Sequence, residues 1–174
     1  MINKKAQVWV ETVIYTLIGL SIIGILLAVV TPKINDIKDK AIITENINAL
    51  NDIHQQIQNT LLSPGNKRQI TLPVKKGEYV IDSVNDSIYY VMRDTKLMYS
   101  EVGQEQKSGD LTRLTVQKNG KYDVYLILDY TNFNITYQEK DMNRILTSAP
   151  TPYTLLIENR GVVGGKTQIN IEPK

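Results

Sequence analysis

The chain opens MINKKAQVWVETVIYTLIGLSIIGILLAVV, and from Val13 to Val30 eighteen consecutive residues carry no charge. At 1.5 Å per helical residue this run covers about 27 Å, close to the roughly 30 Å hydrocarbon core of a bilayer. A helix that is apolar all round has no face suited to water, so it demands lipid or a surrounding bundle. Two lysines, Lys4 and Lys5, precede the run, and one carboxylate, Glu11, stands near its start. A charge inside a spanning segment is costly and usually has a partner.

The segment does not read as an ordinary secretory signal. Such signals have an apolar core of roughly 7–15 residues followed by a small-x-small cleavage site, whereas Thr31-Pro32-Lys33 follows here. The chain has no cysteine, which excludes a cysteine-linked lipid, disulfides, thiolate metal sites and cysteine catalysis. A plain single-span anchor explains the length of the run but assigns Glu11 no task. Near a helix start, its carboxylate can complement the positive end of the helix dipole or sit at headgroup depth.

Lys4-Lys5-Ala6-Gln7, then Val8-Trp9-Val10-Glu11 and the apolar run, resemble the class III signal and N-terminal helix of type IV pilin-like proteins. The archaeal members, with short basic leaders ending in a small residue before glutamine, are the most similar. The resemblance covers about the first third of the chain. It implies cleavage by a prepilin peptidase between Ala6 and Gln7, which makes Glu11 the fifth residue of the mature chain. Gln7 stands where many bacterial members have phenylalanine, and the helix-distorting proline, Pro32, lies further along than theirs. A new amine at Gln7 would lie one helical turn from Glu11 in the same subunit, and in a filament it could meet the carboxylate of the next. Desolvation offsets much of such a pair's attraction, but a wrong stagger leaves a buried charge unpaired, so the pair would set register. Membrane orientation follows from the resemblance alone, because lysines lie on both sides of the span.

Pro32 is expected to end or kink the first helix, over residues 7–31. Residues 32–62 then read as an amphipathic helix, with Ile34, Ile37, Ala41, Ile42, Ile47, Leu50, Ile53, Ile57 and Leu61 at helical spacing. Asp36, Lys38, Asp39, Lys40, Glu45 and Asn48 are among the residues assigned to its polar surface. The spacing is too irregular for clean coiled-coil heptads. His54 reads as a boundary residue on this helix, not a ligand or catalyst. Ser63-Pro64-Gly65 marks its end.

Residues 67–174 read as a β-rich head. Candidate strands span 69–74, 78–84, 87–93, 96–101, 111–118, 121–130, 134–138, 153–158 and 167–172. Asn119-Gly120 between two alternating runs predicts a type I′ hairpin. Residues 139–152 read as a short helical turn over 140–146 followed by a proline-containing loop. Glycine-rich 161–165 reads as a hairpin loop because no helix start follows it. The expected fold class is α+β, a long N-terminal helix packed on a C-terminal antiparallel sheet or β-sandwich.

The net charge of +2, without long basic runs, argues against nucleic-acid binding. A single histidine excludes a multi-histidine metal site, and no catalytic constellation, metal site or cofactor motif stands out. Asn85-Asp86-Ser87 and Asn134-Ile135-Thr136 are N-glycosylation sequons. The resemblance implies a cell-surface filament subunit, held in the cytoplasmic membrane before assembly, with leader residues 1–6 removed. Its implied partners are copies of itself, the prepilin peptidase, and an assembly ATPase with its membrane platform. A minor pilin or pseudopilin, an archaellin, and a membrane-anchored extracellular binding module are the alternatives.

Overall fold

The computed structural model describes residues 4–174, with side chains from residue 8 onward. Two compact units divide between Lys38 and Asp39. One helix, α1 (Lys4–Thr60), contributes to both.

In the first unit α1 runs without interruption through Pro32, so the proline does not end the helix. Proline has no N–H to give the carbonyl four residues back, and its interior cost is about 3 kcal/mol. One lost bond in a helix with many turns on both sides is a local defect, and spanning helices tolerate it. The two expected segments, 7–31 and 32–62, are therefore parts of one helix that ends at Thr60; of the two outcomes expected at Pro32, an end is the one not seen.

In the second unit, Asp39–Lys174, the end of α1 buries Asp39, Ile43, Asn46, Leu50, Ile53, Ile57 and Thr60. The steps alternate between four and three residues, which keeps the row on one side of the helix. This stripe differs from the expected one. Ile34 and Ile37 are exposed, Ile42 and Ile47 flank the stripe half-buried, and two buried positions belong to Asp39 and Asn46. The helix end is capped by distant asparagines. Asn159 Nδ2 donates to the Thr60 carbonyl at 2.9 Å, and Asn66 Nδ2 donates to the Asn59 carbonyl at 3.0 Å. These amides satisfy carbonyls that the helix leaves without intrahelical partners.

Ten strands follow: β1 (Lys67–Leu72), β2 (Glu78–Asp82), β3 (Ser87–Thr95), β4 (Gln106–Ser108), β5 (Leu111–Lys118), β6 (Lys121–Asp129), β7 (Phe133–Tyr137), β8 (Arg144–Thr147), β9 (Tyr153–Val163) and β10 (Lys166–Pro173). They form a four-stranded sheet ordered β1-β9-β10-β7 and a six-stranded sheet ordered β4-β5-β6-β3-β2-β8. The larger sheet is antiparallel throughout. The smaller is mixed, because β7 pairs parallel to β10, with Ile135 beside Ile169. The fold is thus α+β, with one helix packed on an antiparallel and a mixed sheet. The expectation of purely antiparallel pairing is corrected at that pair.

Ile57 from α1, Ile157 and Ile169 from the smaller sheet, and Tyr90 and Leu126 from the larger one belong to one buried core. A void of about 10 Å³ lies where the three elements converge, lined by Ile53, Leu155 and Tyr79 among others. The predicted Asn119-Gly120 turn joins β5 and β6, with both residues at positive φ, 52° and 74°. Three local expectations change. Residues 96–101 form no strand; there, Leu97 and Tyr99 pack against the core from an irregular loop. Residues 144–147 are strand β8 and not a helical turn. On β5 the inward side is Leu111, Arg113 and Thr115, opposite Leu128, Leu126 and Val124, so the more apolar side carrying Leu114 and Val116 faces away from the core.

Candidate functional site

The segment that most demands a functional explanation is residues 8–30 of α1. Its apolar side chains are exposed on all sides, from Val8 (61%) and Trp9 (72%) to Ile25 (68%) and Val29 (61%). It is long and apolar enough to cross a membrane. All four serine and threonine hydroxyls of residues 8–31 turn back onto their own helix. Thr12 donates to the Val8 carbonyl at 2.9 Å, Thr16 to Thr12 at 2.8 Å, Ser21 to Leu17 at 2.8 Å and Thr31 to Leu27 at 2.7 Å. An unsatisfied hydroxyl is costly away from water, and this back-bonding removes the cost without a partner chain. A Cβ added at Gly19 or Gly24 would meet nothing within 4 Å, so packing inside this chain does not require glycine at either position.

Glu11 lies in the exposed stretch near its start. The side chains of Lys4, Lys5, Ala6 and Gln7, predicted to direct processing, lie outside the described residues. Pro32 lies inside α1, as described above.

The sequons occupy different settings. Asn85 is in the exposed turn between β2 and β3, but its Nδ2, the atom a glycan would take, donates to Asp82 Oδ2 at 2.8 Å. Asn134 is half-buried on the edge strand β7. The hydroxyl of its partner Thr136 is buried and donates to Asn170 Oδ1 at 3.2 Å. Asn85 is therefore the more accessible of the two in the folded chain.

His54 is an internal tether. Its Nδ1 lies 3.2 Å from the Tyr130 hydroxyl, its Nε2 lies 3.3 Å from Asp110 Oδ2, and its ring stacks on Tyr130 at 5.8 Å. Burial, and secondarily the nearby Asp110, push the Tyr130 phenol well above its ordinary value. With Tyr130 only 3% exposed, its hydroxyl is closed to a substrate, so the cluster fastens α1 to the β4–β5 and β6–β7 connections. No group of three or more potential metal ligands occurs among the described residues. The hairpin expected at 161–165 is present, but its turn is only Gly164 and Gly165; residues 161–163 belong to strand β9, which extends beyond the expected 153–158.

Two polar clusters escaped the reading of the sequence. Asp39, assigned there to the solvated face, is buried, ion-paired with Lys76, and accepts from Thr95 Oγ1 at 2.6 Å. On the smaller sheet, Glu158, Asn170 and Thr136 are neighbours across β9, β10 and β7, and all are buried. Glu158 Oε2 lies 3.1 Å from Lys67 Nζ and 3.2 Å from Arg160 Nε. Those distances pair the charges, although neither contact has hydrogen-bond angles. The missing signal was long-range, since both clusters join residues far apart in sequence.

No family model matches the chain, and no curated protein or solved structure is significantly similar to it.

Proposed function

We propose that the protein is a structural subunit of a type IV pilin-like surface filament. Residues 8–30 carry this reading: a segment exposed and apolar all round, with its hydroxyls turned inward, is suited first to lipid and then to a core of like helices. In the proposed cycle the chain is held in the membrane, cleaved after Ala6, and drawn into the filament. The β-rich unit then forms the coat, where a glycan on Asn85 would be carried. Glu11 pairs with the new Gln7 amine of a neighbouring subunit and sets the stagger. The role is assembly, with no chemical turnover.

The same exposed segment also suits a permanent single-span anchor for an extracellular binding module. The two readings separate at Glu11. As a register charge, Glu11→Gln leaves leader cleavage intact and abolishes filaments, scored by electron microscopy beside immunoblots of processed protein. Normal filament counts in that variant contradict the filament reading.

A further inference from the structure

In the β-rich unit one pair of sequence neighbours exposes two large aliphatic side chains. Val162 and Val163 are 72% and 53% exposed at the end of β9. Gly164 and Gly165, at φ +60° and +88°, close the turn immediately after them. Arg160 is the extra residue of a β-bulge, the register passing from Asn159 opposite Ile169 to Gly161 opposite Gln168. A bulge bends and twists its strand, so the tip is aimed independently of the sheet below it. The tip is thus an apolar knob, its two valines on opposite faces of the strand, between two partly exposed cations: Arg160, which also pairs with Glu139 and Glu158, and Lys166, which also pairs with Asp86.

A complementary hollow exists elsewhere on the same unit. Between α1 and β1 lies an open groove of about 250 Å³, floored by apolar residues including Ile53 and Ile70, with Glu45 and Asp52 among its lining. Pockets for drug-sized ligands run from roughly 300 Å³ upward, so this groove suits a few aliphatic side chains better than a small molecule. Thr71, in the groove, pairs with Thr154, eight residues before Val162 on β9. At 3.4 Å per strand residue the knob is roughly 27 Å from that point. A chain's own knob therefore cannot fill its own groove.

We propose that the Val162-Val163 knob of one copy seats in the α1–β1 groove of the next, with Arg160 and Lys166 facing Glu45 and Asp52. The contact joins two different patches and is heterologous, so it passes from copy to copy and does not close as a two-fold dimer. It deepens the filament reading and rests on it for the membrane-held copies, but it can be tested separately.

The natural chain has no cysteine, so pairs introduced at chosen positions report the contact directly. Full-length Asn48→Cys and Val163→Cys chains are prepared separately, mixed in detergent and oxidised. The mixture gives a disulfide dimer, each variant alone stays monomeric, and the doubly substituted chain gives a ladder. Val162→Asp, at an exposed tip, abolishes the ladder. Absence of dimer in the mixture, equal dimer from either variant alone, or a ladder that survives Val162→Asp overturns the contact. Filaments that assemble without the cross-link would overturn this contact and leave the filament reading standing. A cross-link that forms in a chain making no filaments would do the reverse.

Discussion

Tyr79 donates its phenolic hydrogen to Asn46 Oδ1 across 2.6 Å, joining β2 to the buried stripe of α1. Asn46 Nδ2 in turn donates to the Ile42 carbonyl at 2.7 Å, so the amide is satisfied on both sides. Tyr79→Phe leaves the Asn46 oxygen buried without a donor and is expected to cost about 1–3 kcal/mol. Adding Asn46→Leu removes the stranded acceptor, so the double variant should lose less than the sum of the two single changes. Urea unfolding of the four chains, followed by tyrosine absorbance, measures the coupling. Simple additivity would contradict it.

Asp39 and Glu45 both pair with lysines, but in different surroundings. Asp39 is buried and also holds Thr95, whereas the Glu45–Lys75 pair is exposed. Asp39→Ala removes the acceptor of the buried Thr95 hydroxyl hydrogen and the partner of Lys76, and is expected to cost about 1–3 kcal/mol. Glu45→Ala should cost less than about 1 kcal/mol and lose even that in high salt. Equal losses in parallel urea titrations would show that Asp39 does not fasten the helix.

Gly77 is held at φ +78°, and a Cβ there would lie 2.6 Å from both the Tyr90 hydroxyl oxygen and the Val91 carbonyl oxygen. The carbonyl is sheet backbone and cannot move aside cheaply. Gly77→Ala should therefore destabilise by roughly 2 kcal/mol or more, combining steric overlap with left-handed strain. Gly103, at φ +74° with open space around it, isolates the strain component. Gly103→Ala should cost clearly less in the same thermal-unfolding measurement.

Three buried phenols make the β-rich unit sensitive to alkali. Burial is the main cause of the upward shift at Tyr79, Tyr90 and Tyr130, with neighbouring negative or phenolic groups adding to it. In the unfolded chain each ionises near its ordinary value of about 10, while the folded chain keeps the proton. The unfolded state then binds fewer protons, so stability is complete below pH 10 and falls as pH rises beyond it. At pH 11 the three together remove about 4 kcal/mol, or roughly 1.4 kcal/mol each. Denaturant midpoints between pH 8 and pH 11 check this, and a flat profile would contradict it.

Local signals made much of the fold legible in the sequence. Asn119-Gly120 fixes its own turn geometry, and the alternation of Val124, Leu126 and Leu128 marks the inward side of β6. Other features depend on partners that no local pattern names. The parallel placement of β7 beside β10 joins residues more than thirty positions apart. Strand β8 is short, and its partner β2 lies far earlier in the chain. Residues 96–101 have strand-like composition, yet Thr95 Oγ1 captures the Leu97 amide and Thr115 Oγ1 captures the Ser100 amide, in place of a ladder. Asp39 reads as a surface residue, and Asn46 goes unassigned, because their buried partners, Thr95 and Tyr79, are distant in sequence. The candidate assembly segment was legible for the opposite reason: an apolar run needs no partner to be recognised. Val162 and Val163 read as loop residues between glycines, and only the pairing of β9 with β10 places them in a strand at an uncovered tip.

The mature N-terminus is the most direct test of the proposed role. Intact-mass and N-terminal peptide mass spectrometry of the protein recovered from its native membrane or filaments should find a chain that begins at Gln7, with Glu11 as its fifth residue. A chain that retains Met1, or one cut beyond residue 28, would contradict a pilin-like subunit and point to a permanent anchor or an ordinary secreted protein.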